Sequence, residues 1–245
     1  MNQEELSREW NQMAPAWIRE AREGVNPTRT GLLDEPMIRA CGDVQGLRIL
    51  DCGCGEGRFC RIMVQKGAAY VLGLDLCTAM IDAADELQTE RVEYRVANVQ
   101  DLGFLDSDSF DLCVSYLNQC DLSDFMANNK EVFRILKPDS RFVVANLHPM
   151  RSAVGGWYKT EQGVKLHAIL DRYFEESERH WRMLGSDFTN FHRSLSTYVS
   201  GFLTAGFELI DLIEPTVTDD QLEEYPQLDD ELRVPNFIIY VLKKR

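Results

Sequence analysis

The sequence predicts an α/β protein: an open, mostly parallel seven-stranded sheet with helices on both faces, its last strand antiparallel, and a cap inserted after the fifth strand. Three observations carry this expectation. From residue 47 onward, short strand-like apolar runs alternate with stretches of helical period. The first run feeds directly into a glycine-rich turn, Gly53-Cys54-Gly55-Glu56-Gly57, that opens a helix. The last two runs, 207–213 and 237–242, have no helical pattern between them, which pairs them antiparallel.

Taken in order, residues 4–23 carry Leu6, Trp10, Met13, Trp17 and Ile18 among charges, an amphipathic helix broken by Gly24 and Asn26-Pro27. A second short helix is expected over 32–41. Strands follow at 47–52, 69–74, 92–96, 110–115 and 141–147. Between them, helices are expected at 58–66, closed by Gly67, at 78–87, and at 121–136, stopped by Pro138. Residues 194–205 give the cleanest helix, with Leu195, Tyr198, Val199, Phe202 and Leu203 on one face and Gly206 as the stop. The chain thus reads as one domain, 1–245, with N-terminal helices in 1–45. Segments 148–192 and 214–235 leave from strand ends on the ligand side and are expected to overhang the site, the first as a cap. The second is rich in Asp and Glu and reads as a mobile, solvated loop.

Composition removes several function classes. With 26 Lys+Arg against 40 Asp+Glu, the formal charge of −14 argues against nucleic acid and anionic membrane surfaces as partners. No apolar run approaches the roughly 20 residues needed to span a bilayer, and the N-terminus lacks the pattern of a signal peptide. Seven scattered cysteines read as reduced thiols packed as small hydrophobes, which suits a cytoplasmic setting. Cys52-Gly53-Cys54 has no second ligand pair at zinc spacing, so no metal is expected.

The glycine loop lets the backbone turn tightly and approach a ligand that a Cβ would repel. A G-x-G-x-x-G dinucleotide fingerprint would need glycine at 58 or 60, where Arg58 and Cys60 stand. Asp75, ending Gly73-Leu74-Asp75, lies twenty residues beyond Gly55, where a carboxylate accepts bonds from both ribose hydroxyls.

At this point the chain resembles the class I S-adenosylmethionine-dependent methyltransferases, of the small-molecule group, whose fold is Rossmann-like. LDCGCGEG resembles the glycine-rich first motif and GLDLCTAMI the acidic second motif. ANVQDLGF, SFDLCVSYLNQCDL and EVFRILKPDSRFVVANLHP resemble the segments that follow, so the similarity runs over about residues 29–147. The resemblance implies S-adenosylmethionine as cofactor and S-adenosylhomocysteine as product. It places Asp51, Gly53 and Gly55 on the methionine and ribose side, with Asp75 at the ribose hydroxyls. Leu76 and Met80 would flank adenine, Asn98 would meet its amino group and Val99 its ring edge. Ser115 and Tyr116 would lie near the sulfur, and Arg29 would pair with the methionine carboxylate. Asn98 stands where the family often has Asp.

Methyl transfer from a sulfonium is an in-line displacement by an O, N or C nucleophile, and the protein must align that nucleophile and exclude water. A base near neutral pKa is needed only where the acceptor loses a proton, which points to histidine. His148, ending the fifth strand, and His192, before the 194–205 helix, are the expected catalytic candidates. Aromatics of 148–192 (Trp157, Tyr158, Tyr173, Phe174, Trp181, Phe188) are expected either to line an acceptor pocket or to form the cap's own core. The partner is then a small-molecule methyl acceptor. Its identity, the atom methylated, the use of a base, and the oligomeric state are not encoded in these motifs. A nicotinamide-dependent oxidoreductase and a non-catalytic S-adenosylmethionine-binding protein are the competing readings.

Overall fold

In the computed structural model, which describes residues 2–24 and 26–245, the chain opens with α1 (Gln3–Glu23). Asn2 and Glu5 close a capping box at its start, and Gly24 ends it in the left-handed conformation. A π-helical turn, Thr28–Leu33, runs into α2 (Asp34–Cys41). Then come β1 (Arg48–Cys52), α3 (Arg58–Gln65), β2 (Tyr70–Asp75), α4 (Thr78–Glu86), β3 (Val92–Val96) and β4 (Phe110–Tyr116). A 3₁₀ turn, Gln119–Asp121, leads to α5 (Phe125–Ile135) and β5 (Leu136–Leu147). After α6 (Pro149–Ser152) two hairpins follow, β6 (Val154–Lys159) with β7 (Lys165–Asp171) and β8 (Ser177–Met183) with β9 (Ser186–His192). The chain finishes with α7 (Leu195–Thr204), β10 (Phe207–Ile213), α8 (Asp219–Glu224), a 3₁₀ stretch Pro226–Leu232, and β11 (Phe237–Lys244).

Seven strands form the main sheet in the order β10-β11-β5-β4-β1-β2-β3. All are parallel except β11, which is antiparallel to both β5 and β10. This is the Rossmann-like arrangement expected. Both faces are covered, so the central strands are apolar throughout rather than alternating with polar residues. Ile49, Val71, Val143 and Ile239 face α2 and α3, while Leu50, Leu72, Val144 and Tyr240 face α5 and α7. Strand order reverses between β2 and β4 on either side of β1, and the crevice that opens there is where such sheets bind ligands.

Two expectations are corrected. Pro138 does not stop the preceding helix; α5 ends at Ile135, and Pro138 lies within β5. The β4–β5 register jumps from Phe110↔Leu136 to Leu112↔Arg141, so Pro138 sits in the bulged-out residues, where its missing N–H removes no ladder bond. The acidic stretch is not a solvated loop either. Thr218 and Gln221 form a capping box that starts α8, and Val217, Leu222, Tyr225 and Leu228 pack onto the sheet's α2/α3 side. The acid surplus hides these apolar anchors in the sequence. The ring of Tyr225 lies against Gly31, and Gln221 Nε2 donates to Gly31 O, which ties the stretch to the Thr28–Leu33 turn.

Candidate active site

A cavity of about 280 Å³ opens at the carboxyl ends of β1, β2 and β4. Its floor is the 53–57 loop. Gly53 N and Cys54 N both donate to Leu74 O, at 2.8 and 2.9 Å, which folds the loop back over β2. Gly53 (φ +80°) and Gly57 (φ +79°) have no substitute: a Cβ would come within 2.3 Å of Asn118 Cγ at the first and of Tyr94 Oη at the second. Gly55, by contrast, leaves open space above it, and its N–H donates to Asp75 Oδ2 at 2.8 Å.

The charges of the cavity are unevenly satisfied. Asp75 Oδ1 also accepts from Cys77 N, at 2.8 Å. Burial raises its pKa, against the pull of these amides. Asp51, 1% exposed, accepts a bond from the Cys60 thiol on Oδ2 at 3.2 Å, while Oδ1 has no partner. Burial lifts its pKa to about 7, opposed by the Cys60 bond and Arg58 and helped by the like charge of Asp75. Arg29 lies 4.3 Å over the Trp17 ring with Nη2 buried and unpaired. Burial, then the like charge of Arg58, lowers its pKa. Arg58 itself is spoken for: Nη1 and Nη2 clasp Asp34 at 2.6 and 2.8 Å, and Tyr116 Oη donates to Asp34 Oδ1 at 2.7 Å. That network fixes the Tyr116 ring at the cavity wall, 5.2 Å from Phe59.

Arg29, Asp51, Gly53, Gly55, Asp75, Leu76, Met80, Asn98, Val99 and Tyr116 all line this one cavity. Ser115 does not. Side chains alternate along β4, so while Tyr116 faces the cavity the Ser115 hydroxyl is fully buried in the sheet's other face. The two histidines are also absent from the lining. His148 caps α6, accepting from Met150 N on Nδ1 at 3.1 Å, with Nε2 3.0 Å from Glu214. His192 has Nδ1 2.8 Å from Ser152 Oγ and Nε2 2.8 Å from Tyr173 O. Both ring nitrogens of each histidine are engaged and neither ring faces the cavity, so the structure places them as ties at the ends of the 148–192 segment; burial lowers both pKa values. Of the hairpin aromatics only Phe188 reaches the cavity.

Other walls were not anticipated. Trp10 and Trp17, edge to face at 5.6 Å, come from α1 and were legible only as anchors of an amphipathic helix. Glu9 accepts from Thr189 N at 2.8 Å and pins α1 to β9, which contributes Phe188 and Asn190 to the lining. Asp121, in the turn after β4, lines the cavity as well. All seven cysteines are free and buried, and burial pushes the Cys54 thiol up to about 11.

This arrangement suits a ligand with an amino-acid end and a nucleoside end. The free oxygen of Asp51 and the free nitrogen of Arg29 offer opposite charges within one cavity, and the Asp75 carboxylate, held by the Gly55 and Cys77 amides, lines the same space. Comparison with known proteins agrees. The methyltransferase domain family matches residues 50–144. A solved S-adenosylmethionine-dependent methyltransferase from Mesorhizobium loti is 32% identical, covering 86% of this chain and 96% of that one, with a TM-score of 0.78. A structure from Listeria monocytogenes, assigned to the same class, is 31% identical over 86% and 96% of the two chains, with a TM-score of 0.79. A ubiquinone biosynthesis O-methyltransferase from Neisseria meningitidis serogroup C is 30% identical over 132 residues, so the match spans about half of each chain, 51% and 53%. The chain belongs to the class I S-adenosylmethionine-dependent methyltransferases. Its cofactor is S-adenosylmethionine and its product S-adenosylhomocysteine. Among the described residues, no helix is long and apolar enough to cross a membrane.

Proposed function

We propose that the protein methylates a small molecule, with Asp51 holding the cofactor's amino group, Arg29 its carboxylate and Asp75 its ribose hydroxyls. Leu76 and Met80 would sandwich adenine, with Asn98 and Val99 at its edge. The observation that carries this reading is the pair of buried, unpartnered atoms of opposite charge, Asp51 Oδ1 and Arg29 Nη2, in the same cavity as Asp75. Each is costly to leave unpaired in the free protein and is repaid by a zwitterion. The cofactor supplies a methyl group on a positively charged sulfur, already activated toward a nucleophile. The protein's part is to bind, orient and exclude water, and α1 with the β8–β9 hairpin supplies that cover. A cavity of this size, walled by aromatics, suits a small acceptor. O-Methyltransferases among the relatives make oxygen the favoured nucleophile. The cover assigned to β8–β9 is the role we give to the 148–192 segment as a cap. Seven free, buried thiols support a reducing, cytoplasmic setting.

Calorimetric titration with S-adenosylmethionine, S-adenosylhomocysteine and NADH tests the assignment. Both adenosyl ligands should bind and NADH should not. Asp75→Ala should weaken the adenosyl ligands about 100-fold, the worth of two hydrogen bonds to a charged acceptor. Affinity within threefold of the parent would remove Asp75 from the site.

A further inference from the structure

Two carboxyls in the cavity have no task in that reading, and while Glu56 is paired with Arg61 at 2.5 Å, Asp121 has no such partner among the described residues. Asp121 ends the 3₁₀ turn after β4 and lines the cavity beside Asn118 and Leu122, with Trp10, Phe188 and Asn190 among the other lining residues. The turn is held rigidly. Asp121 N donates to Asn118 O at 2.8 Å, and Cys120 N to Asn146 Oδ1 at 3.1 Å. Arg193 Nη2 donates to Leu122 O and Ser123 O at 2.6 and 3.1 Å, and Nη1 to Gln119 O at 3.4 Å. Its guanidinium is also packed against the Phe125 and Phe191 rings. Arg193, the cation whose field reaches Asp121, is thus committed to backbone carbonyls. The carboxyl's own hydrogen-bond partner among the described residues is the Cys120 thiol, 3.6 Å from Oδ1, a weak donor.

We propose that Asp121 is the group that receives the acceptor's proton, and that the acceptor is an uncharged, flat, apolar molecule bearing a hydroxyl. This rests on the small-molecule methyltransferase reading above. The charges select the class. With Asp51, Asp75 and Arg29 taken up by the cofactor and Arg58 and Glu56 paired with Asp34 and Arg61, Asp121 is the charge left to the acceptor, so a carboxylate or phosphate acceptor would be repelled. Trp10 and Phe188, 6.3 Å apart, offer aromatic surface to a flat molecule. A hydroxyl sheds its proton when methylated: its O–H bond is exchanged for an O–CH₃ bond, the C–S electron pair returns to sulfur, and the proton goes to the Asp121 carboxylate. A methyl ether, a neutral thioether and a protonated Asp121 result, and the proton passes to water on product release.

Three groups set the basicity of this carboxyl: Asp75 from the end of β2, Cys120 in the same turn, and Arg193 following β9. Burial raises its pKa to about 8; the Cys120 bond and Arg193 oppose this, and Asp75 adds to it. A proton acceptor working close to neutrality matches a phenolic or enolic hydroxyl far better than an ordinary carboxylate does.

The test uses the full chain saturated with S-adenosylhomocysteine and 4-nitrophenol as the acceptor probe, its ionisation read by absorbance. If one proton is shared between the probe and Asp121, affinity should fall about tenfold or more from about pH 7 to about pH 9.5, as both groups become anionic. In Asp121→Asn the anionic probe no longer meets this carboxylate, and Asp51 and Asp75 are engaged by the bound S-adenosylhomocysteine, so the same rise in pH should change affinity less than about twofold. S-Adenosylhomocysteine binding within threefold of the parent shows that the variant is folded. Identical pH profiles in the two proteins would overturn the proposal. So would a flat profile in the parent, which needs no variant, or the absence of probe binding at millimolar concentration. Failure of the parent to bind S-adenosylhomocysteine would instead strike the cofactor reading on which the proposal stands.

Discussion

The glycine-loop end of the cavity draws on strand ends within residues 51–99, all next to one another in the sheet. The opposite end joins α1, the turn after β4 and the β8–β9 hairpin, and its Glu9–Thr189 tie spans 180 residues of chain. The first end is built from backbone: amides converge on Asp75 and Leu74, and the glycines are held by Tyr94 and Asn118. The second is built from side chains that meet only once the rest has folded. A local turn that grips a common cofactor tolerates little change. A wall of distant side chains is free to vary with the acceptor.

The two ends should separate under mutation, and the largest effect on the stability of the free protein is expected at Asp51. Its pKa in the free protein is raised to about 7, so the folded state binds more protons than the unfolded one between about pH 4 and that value. That contribution to stability is present at acid pH and lost as pH rises through the folded pKa. Asp51→Asn removes the buried charge and should stabilise the free protein at about pH 8 by about 2 kcal/mol, raising Tm by about 5 °C. It should also weaken S-adenosylmethionine about tenfold, as a charge-assisted bond becomes a neutral one. Scanning calorimetry with and without ligand checks both, and a variant less stable than its parent would contradict the unpaired-carboxylate account.

A smaller effect is expected at the other end. Glu9→Ala strips Thr189 N of its acceptor and should cost about 1 kcal/mol. Hydrogen exchange should speed up over residues 186–192 while S-adenosylhomocysteine affinity stays within about threefold, since the hairpin's tie to α1 is separate from the glycine loop. Equal acceleration throughout the sheet would mean the two ends are one cooperative unit. The smallest effect belongs to the hairpin's root. Burial lowers the pKa of both His148 and His192 in the folded state, so the unfolded chain binds more protons. Stability from these rings is full above the unfolded value of 6.5 and declines as pH falls below it. Thermal melts of His192→Gln should show a shallower acid slope than the parent, and an unchanged slope would remove the ring from that linkage.

The same division governs what the sequence discloses. Glycine spacing and a strand-terminal Asp75 are local patterns, so ten of the expected ligand positions converge on one cavity. Ser115 failed because β4 continues through Tyr116 and the alternation of its side chains decides which residue faces out. A histidine in sequence shows a titratable ring but not what occupies it, here Met150 N and Glu214 at His148 and the Ser152 and Tyr173 oxygens at His192. Asp121 carries no spacing signal; it matters because a turn anchored by Arg193, more than seventy residues away, aims it into the cavity. Pro138 misled for a related reason: proline interrupts a helix or sits harmlessly in a bulge, and only the register across β4 tells which.

The position of β11 has a consequence for the order in which the molecule comes together. This strand follows all the others in the chain, yet it lies inside the sheet, bonded to β5 on one side and β10 on the other. Until it arrives, β10 has no neighbour, and Ile239 and Tyr240 are missing from the two apolar layers they help to fill. The seam between β5 and β10 therefore closes last, from within the sheet, and both apolar layers depend on the strand that fills it.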